Sequence, residues 1–430
     1  MMRYILTILL GFLLILSGCS GTYKPESTIN LLTPNPVIMT TPPDTAHPGE
    51  IQTGEPNDNK PVTLIMWVPD DFTVSSSEQV QKLLIDRLDT FEKANPGIIV
   101  DLRFKNVKLK ESMMDLLNTT SRVAPSVLPD VILLNRSDME TAALKGLLVP
   151  FDDYPVSGVT TGVFPGFEDP GKLQGSTFGV PAAGDALVVI DKKYSGEQLP
   201  TWKDILNSSL QIGVNLNDPN ATVFIALYLS AGGALTDEKG KPHLDQTVFT
   251  QLLTFIRETR SQSVFSDWSL LASDWVEVSK RFNDGESDME INWYSSTPKT
   301  GLDQYSYHGL SGLSNSSATI LTGWYWCMAN PASDRQSSRE DLLSFLSQAV
   351  FASSWSNMAG YLPVSNQEWP LSGPSSSELQ SILGSAQPLP ETSIMITLGP
   401  VIRDAVIRTY TTSDNIDEIA AAAIARINQD

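Results

Sequence analysis

Histidine is nearly absent from this chain of 430 residues, which has three: His47, His243 and His308. None belongs to an H-E-x-x-H pair, and there is no G-x-S-x-G elbow, Walker A loop or G-x-G-x-x-G turn. Metal-assisted, nucleophilic, phosphoryl-transfer and dinucleotide chemistry therefore have no anchor in the sequence. No enzyme activity, catalytic residue, metal or cofactor is assigned. Carboxylates are plentiful, but a glycosidase pair is defined by separation in space, and no spacing singles one out. DPNATVF and TDEKGKPHLD carry oxygen ligands without the ordered spacing of a calcium loop, and read as solvated turns. Basic residues are also short: 29 Lys and Arg against 49 Asp and Glu leave a net charge of −20. Such a chain has no phosphate-neutralising surface, which argues against nucleic acid as a partner.

Cysteine is as scarce, with Cys19 and Cys327 alone. Cys19 sits near the end of MMRYILTILLGFLLILSGCS, where Arg3 supplies a charged start and residues 5–16 an apolar run too short for a membrane span. Leu16-Ser17-Gly18-Cys19 resembles the bacterial lipobox. That resemblance implies a signal peptide over 1–18 and lipidation of Cys19 as the mature N-terminus, at the outer face of the cytoplasmic membrane. An ordinary cleaved signal peptide or an uncleaved anchor is the alternative. A lipid on Cys19 leaves Cys327 without an intramolecular partner. The apolar neighbours of Cys327 in GWYWCMAN mark it as a buried, inert thiol. Residues 20–60 are rich in Pro, Thr and Asn and lack periodicity, so 19–60 reads as a lipidated cysteine followed by a disordered tether. A flexible chain of that length reaches about 35 Å.

The folded body begins at Pro61. VTLIMWV (62–68) is a continuous apolar run, as in a strand buried on both faces. In 77–97, Val80, Leu83, Leu84, Arg87, Leu88 and Phe91 form the stripe of an amphipathic helix that Asn95-Pro96-Gly97 stops. Strands follow at 98–104 and 130–135, with a helix at about 109–121 between them. Asp138 is placed to cap a helix over 139–146. This alternation predicts an α/β region with a mainly parallel sheet. Beyond a loop-rich stretch come a strand at 186–193, helices at 201–207, 221–235, 246–262 and 273–283, and a strand at 212–216. Gly285 reads as a helix stop before a half-buried strand in which Met289, Ile291 and Trp293 alternate with Asp288, Glu290 and Asn292. A strand at 323–329 and helices at 339–351 and 416–428 complete the pattern.

The order of segments resembles the extracellular solute-binding proteins of ABC importers, family 1, of the maltose and multiple-sugar type. The resemblance is carried by LIMW followed by FEKANPGIIVDL, LPDVILLN followed by LKGLLVPFDDY, and GSTFGVPAAGDALVVIDKK. LPTWKDIL, AGGAL, RFNDGESDMEIN and YLPVSNQ add to it, and the pieces span about 370 residues in order. It implies a two-lobe periplasmic-binding-protein-like (type II) fold with a hinge and an interlobe cleft. The lobes would be discontinuous, 61–186 plus 322–360 and 187–321 plus 361–430, with crossings at ALVVIDK, near 320–324 and near 359–363.

Sugar faces call for flat aromatics and sugar edges for polar side chains, placed at the C-terminal ends of strands. Trp67 and Asp70 lie at the end of the first strand, Asn135, Arg136 and Ser137 at the end of DVILL, and Trp293 and Tyr294 at the end of MEI. Asp185 precedes the first crossing and matches an acidic cleft position in the family. Trp324 and Trp326 lie at the second crossing, on one strand face if the strand is regular. Trp67, Asp70, Asn135, Asp185, Trp293, Tyr294, Trp324 and Trp326 are thus the expected ligand-binding residues, with Ser295 and Ser296 free to bond hydroxyls. The resemblance departs at Val189-Ile190-Asp191-Lys192 and at Asn220-Ala221-Thr222, where relatives carry polar or aromatic contributions. The expected function is capture of a mono- or oligosaccharide by a monomeric receptor that delivers it to ABC permease subunits. A non-sugar solute, a membrane sensor as partner, or a surface polysaccharide hydrolase are the alternatives.

Overall fold

The computed structural model describes residues 61–72, 77–105, 113–152, 162–169, 171–192, 200–297, 304–314, 316–330, 333–373 and 375–428. The leader, Cys19 and the expected tether lie outside the described residues. The chain opens with β1 (Val62–Pro69), α1 (Ser77–Ala94), β2 (Ile98–Lys105), α2 (Met113–Val123), β3 (Val131–Asn135) and α3 (Arg136–Leu144). A small hairpin, β4 (Lys172–Leu173) and β5 (Ser176–Thr177), precedes the long β6 (Val180–Asp191). Next come α4 (Trp202–Leu206), β7 (Ile212–Gly213), α5 (Thr222–Ser230), α6 (Gln246–Ser261), α7 (Trp275–Asn283), β8 (Met289–Trp293) and β9 (Ser306–Gly309). The chain returns through β10 (Ile320–Cys327), α8 (Gln336–Leu346) and α9 (Ala349–Met358). It ends with α10 (Ser376–Ser385), β11 (Gln387–Pro388), α11 (Thr392–Thr411) and α12 (Ile416–Ile427).

β1 shows why a continuous apolar run forms here. Leu64, Met66 and Val68 pack with Val80, Leu84, Leu88 and Phe91 of α1. Ile65 and Trp67 point the other way, among Met113, Met114 and Leu117 of α2 and Met139 of α3. With a helix layer on each face, the strand is buried from Leu64 to Pro69, and only its first two residues, Val62 and Thr63, reach water. β2, β1 and β3 are parallel, as expected, but β10 then enters antiparallel between β3 and β6, so the sheet is mixed.

The strand order is β2-β1-β3-β10-β6-β8-β7, with β11 beside β10 and β9 beside β6. β6 changes partners along its length. Residues 180–186 pair with β10, and residues 187–191 pair with β8, 188–191 also with β9. Its first half packs in the core built on β1–β3, while Leu187 and Val189 belong to a second core with α5, α6, α11 and α12. Two lobes therefore share one strand. A third strand-like crossing is made by Leu362, whose N–H and C=O both bond to Gly184 at 2.8 Å. Gly184 pairs with Gly323, and Phe167 presses on both. A Cβ on Gly184 would lie 2.5 Å from the Phe167 ring, so only glycine fits.

Several expectations need correction. The helix after β3 begins at Arg136, not 139, because Asn135 is the cap: its Oδ1 accepts from Asp138 N at 2.9 Å. The helix expected over 339–351 is two, α8 and α9, broken near Ser347 and Gln348. There Arg87 of α1 donates to Phe345 O (2.5 Å) and Gln348 Oε1 (2.6 Å), supplying partners to a helix end. β8 is buried on both faces instead of one: Met289 to Asn292 are all inaccessible because α7 covers the polar side. β9, α10 and α11 were not expected. α11 is the longest helix among the described residues, at 20 residues despite Gly399-Pro400 in its middle. Gly399 lets it close on the turn before α5, where a Cβ would come within 2.8 Å of Asn220 Cα. Gly285 does stop α7, at φ +83°, with Gly285 N bonding Phe282 O and Glu286 N bonding Arg281 O, both at 3.0 Å.

Candidate ligand cleft

A cleft of about 270 Å³ opens where the crossing strands pass from one core to the other. Strand pairing assembles it. Trp324 of β10 is opposite Asn135 at the end of β3 and Ala183 of β6, while Thr322 is opposite Asp185. Two residues along β6, Leu187 is opposite Trp293 at the end of β8. The cleft therefore gathers Asn135, Asp185, Trp293 and Trp324 from four segments distant in sequence.

The two indoles are half-buried and belong to different cores. Trp324 packs against the first, edge-on to Phe72 (5.3 Å, 87°) and to Tyr361 (6.1 Å, 70°). Trp293 packs against the second. Each is braced on its core side, so little side-chain freedom remains to be lost when a ligand face stacks on it.

The polar lining is largely committed already. Asp185 is buried, and its Oδ1 accepts from Ala186 N (2.9 Å) and Ser295 N (3.0 Å), while its Oδ2 accepts from the Ser295 hydroxyl (2.5 Å). Ser295, expected to be free for ligand hydroxyls, is thus tied to Asp185. Asn135 spends its Oδ1 on the α3 cap. Arg136 lines the cleft with its guanidinium buried, pairing through Nε with Glu140 Oε1 at 2.7 Å and donating through Nη1 to Leu389 O.

Trp67, Asp70, Tyr294 and Trp326 lie away from this cleft. Trp67 is buried on the far face of β1, with Lys105 Nζ 4.2 Å from its ring centroid. Asp70 begins a 3-10 turn and belongs to a separate recess beside Phe72 and Trp355. Trp326 shares the core of Trp324, but two residues further in it is covered by Trp355 of α9, stacked at 5.4 Å. Tyr294 turns inward at the 3-10 turn after β8, its ring 5.2 Å from that of Tyr307, and burial pushes its phenol pKa up. The cleft also contains Tyr361, Thr322, Pro390 and Thr392, which the sequence reading did not single out. An aromatic at the third crossing was a usable signal for Tyr361. Pro390 and Thr392 sit at the start of the unanticipated α11. Among the described residues no cluster of His, Cys, Asp and Glu is arranged to hold a metal ion, and no helix is long and apolar enough to cross a membrane.

Two lobes joined by a shared strand, with an aromatic cleft at the crossing, define a two-lobe binding protein. The family model of bacterial extracellular solute-binding proteins matches residues 86–376, and the chain belongs to that family. It is accordingly a receptor for an extracellular solute and not an enzyme. No curated protein matches the sequence significantly. Among solved structures, the sugar-binding protein MalE from Xanthomonas citri is similar at 19% identity and a TM-score of 0.70, over 86% of this chain and 97% of that one. Maltose-bound MalE3 from T. maritima is similar at 18% identity and a TM-score of 0.64, over 86% and 99%. The cyclic α-maltosyl-1,6-maltose binding protein from Arthrobacter globiformis follows at 15% identity and a TM-score of 0.68, over 86% and 98%. At these identities the likeness is one of fold.

Proposed function

We propose that this chain is a lipid-anchored receptor that captures a neutral mono- or oligosaccharide in the cleft and delivers it to an ABC permease. The observation that carries the reading is the pair of half-buried indoles, Trp293 and Trp324, one from each core, on a cleft of about 270 Å³. That volume is near the lower end of the roughly 300–1,000 Å³ common for small-molecule sites, which suits one or a few sugar rings. The engagement of the polar lining supports a neutral solute: Arg136 is paired with Glu140, and the oxygens of Asp185 already accept three hydrogen bonds from neutral donors, leaving few acceptor sites for the N–H groups of a polyamine. The similar proteins named above are described as sugar-binding, maltose-bound and cyclic-maltosyl-maltose-binding.

In this reading Asn135, Asp185, Trp293 and Trp324 touch the solute, while Trp67, Asp70, Tyr294 and Trp326 support the walls. The lobes comprise about 61–186 with 322–360, and 187–321 with 361–430; the two main cores support this division except at the crossings, where Tyr361 packs in the first core and Phe164 and Phe167 pack with Val188, Leu362 and Leu379. Lipid on Cys19 holds the monomer at the membrane, and the leader ends at residue 18. A thermal-shift panel of maltose, maltotetraose, monosaccharides, amino acids and polyamines tests the solute class. A sugar at 100 times its Kd adds about 2.7 kcal/mol and raises Tm. A shift with a polyamine or amino acid and with no sugar would overturn the carbohydrate reading. Intact mass of the membrane-extracted protein tests the lipid on Cys19.

A further inference from the structure

Helix α11 belongs to the second core through Met395, Leu398, Val401 and Ile402, whereas α3 belongs to the first-lobe packing through Met139 and Ala142. The N-terminal end of α11 nevertheless meets α3. The amide of Thr392, the first residue of α11, donates to Glu140 Oε2 of α3 at 2.6 Å. Its own N-cap, Glu391, makes no side-chain capping bond. A helix start leaves N–H groups without intrahelical partners and favours a nearby negative charge, so Glu140 does from the other lobe what a cap normally does locally. Glu140 also pairs with Arg136, one turn back on α3, and Arg136 donates to Leu389 O. Both side chains are buried, at 2% and 9% exposure, so the pair is little screened by solvent.

The geometry points to a latch: Arg136 and Glu140 of α3 hold the segment 389–392, and with it α11, in a fixed position across the crossing. Such a pair is costly to bury but strongly position-dependent, because removing one partner leaves the other buried and uncompensated. The covalent crossings allow the lobes to rotate, and the latch selects one rotation. Arg136 also lines the cleft, so a solute bonded to its guanidinium acts on the latch directly. That last step rests on the cleft being the solute site, whereas the latch itself does not.

The test is therefore run without solute, on the full chain. Glu140→Ala and Arg136→Ala are expected to increase the radius of gyration in small-angle scattering and to speed hydrogen exchange in the peptide containing Thr392. Leu398→Ala, which weakens α11 inside the second core, is expected to lower Tm without expanding the particle. Arg136→Lys and Glu140→Gln keep hydrogen-bonding capacity and should give smaller shifts in the same direction. They remain informative if the alanine variants fail to fold. An unchanged radius of gyration and unchanged exchange at Thr392 in folded variants would overturn the latch. A sugar panel that finds no ligand would leave these solute-free outcomes unaffected.

Discussion

Glu290 makes a contribution to stability that falls with rising pH, opposite in sign to that of a salt-bridged carboxylate. It lies in β8 with no exposed surface, and its only hydrogen-bond donors among the contacts seen are neutral: Ser279 Oγ at 3.3 Å and Asn292 Nδ2 at 2.8 Å. Burial pushes its pKa from the ordinary 4.5 up to about 7, against smaller opposing effects of these hydrogen bonds and of Lys192. Between those two values the folded chain holds a proton that the unfolded chain has lost. The contribution of Glu290 to stability is therefore complete below pH 4.5 and declines by about 1.4 kcal/mol per pH unit, reaching a loss of about 3 kcal/mol above pH 7. Glu290→Gln imitates the protonated form. Its carbonyl accepts from Asn292, and its amide turns to the Ser279 hydroxyl, which can accept. Urea unfolding from pH 4.5 to 8 should give equal stabilities for the two proteins at the acid end. At pH 8 the variant should be ahead by about 3 kcal/mol. A difference that stays flat with pH, or a variant that is weaker at pH 8, refutes the reasoning.

Three further outcomes follow from burial and packing. Trp326→Ala removes a fully buried indole from its stack on Trp355 and should cost about 3–5 kcal/mol in denaturant unfolding. Trp293→Ala, at a half-exposed cleft position, should weaken solute binding measured by calorimetry far more than it lowers Tm; a large Tm loss with unchanged affinity would assign Trp293 to the core. The Cys327 thiol is fully buried and its pKa is pushed well up by that burial, so peptide mapping should find it unmodified by maleimide in native protein and modified in guanidinium.

Local signals carried the first half of the fold well. Apolar runs marked β1 and β3, the stripe from Val80 to Phe91 marked α1, and Thr201 with Asp204 forms the capping box that opens α4. The misses share a cause, which is that tertiary contacts supplied what local chemistry denied. α11 runs through Gly399-Pro400 because the glycine is needed for close approach, and α8 ends where Arg87 reaches its carbonyl from another helix. The cleft was half legible. Strand ends pointed to Asn135 and Trp293, and the crossings implied by the family resemblance to Asp185 and Trp324, but a sheet covered on both sides hides Trp67 and Trp326 as readily as it presents Trp324. Residue type cannot distinguish them, since the covering helices come from distant sequence. Thr392 and Tyr361 enter the site only through such long-range packing.

The stacking of Phe72 on Trp355, at 4.5 Å, has a consequence for how the chain is made. The first lobe contains the earliest strands to be synthesised, yet its core stays incomplete until α9 has appeared, after the larger part of the second lobe, about 187–321, has been threaded in between. Contacts of that sequence separation form slowly, because a long loop must be closed before any packing rewards it. A chain built this way lacks its finished first core while it is being synthesised, which favours passage through a narrow translocation pore before the fold is complete. It would acquire its tertiary structure as a unit only on the far side.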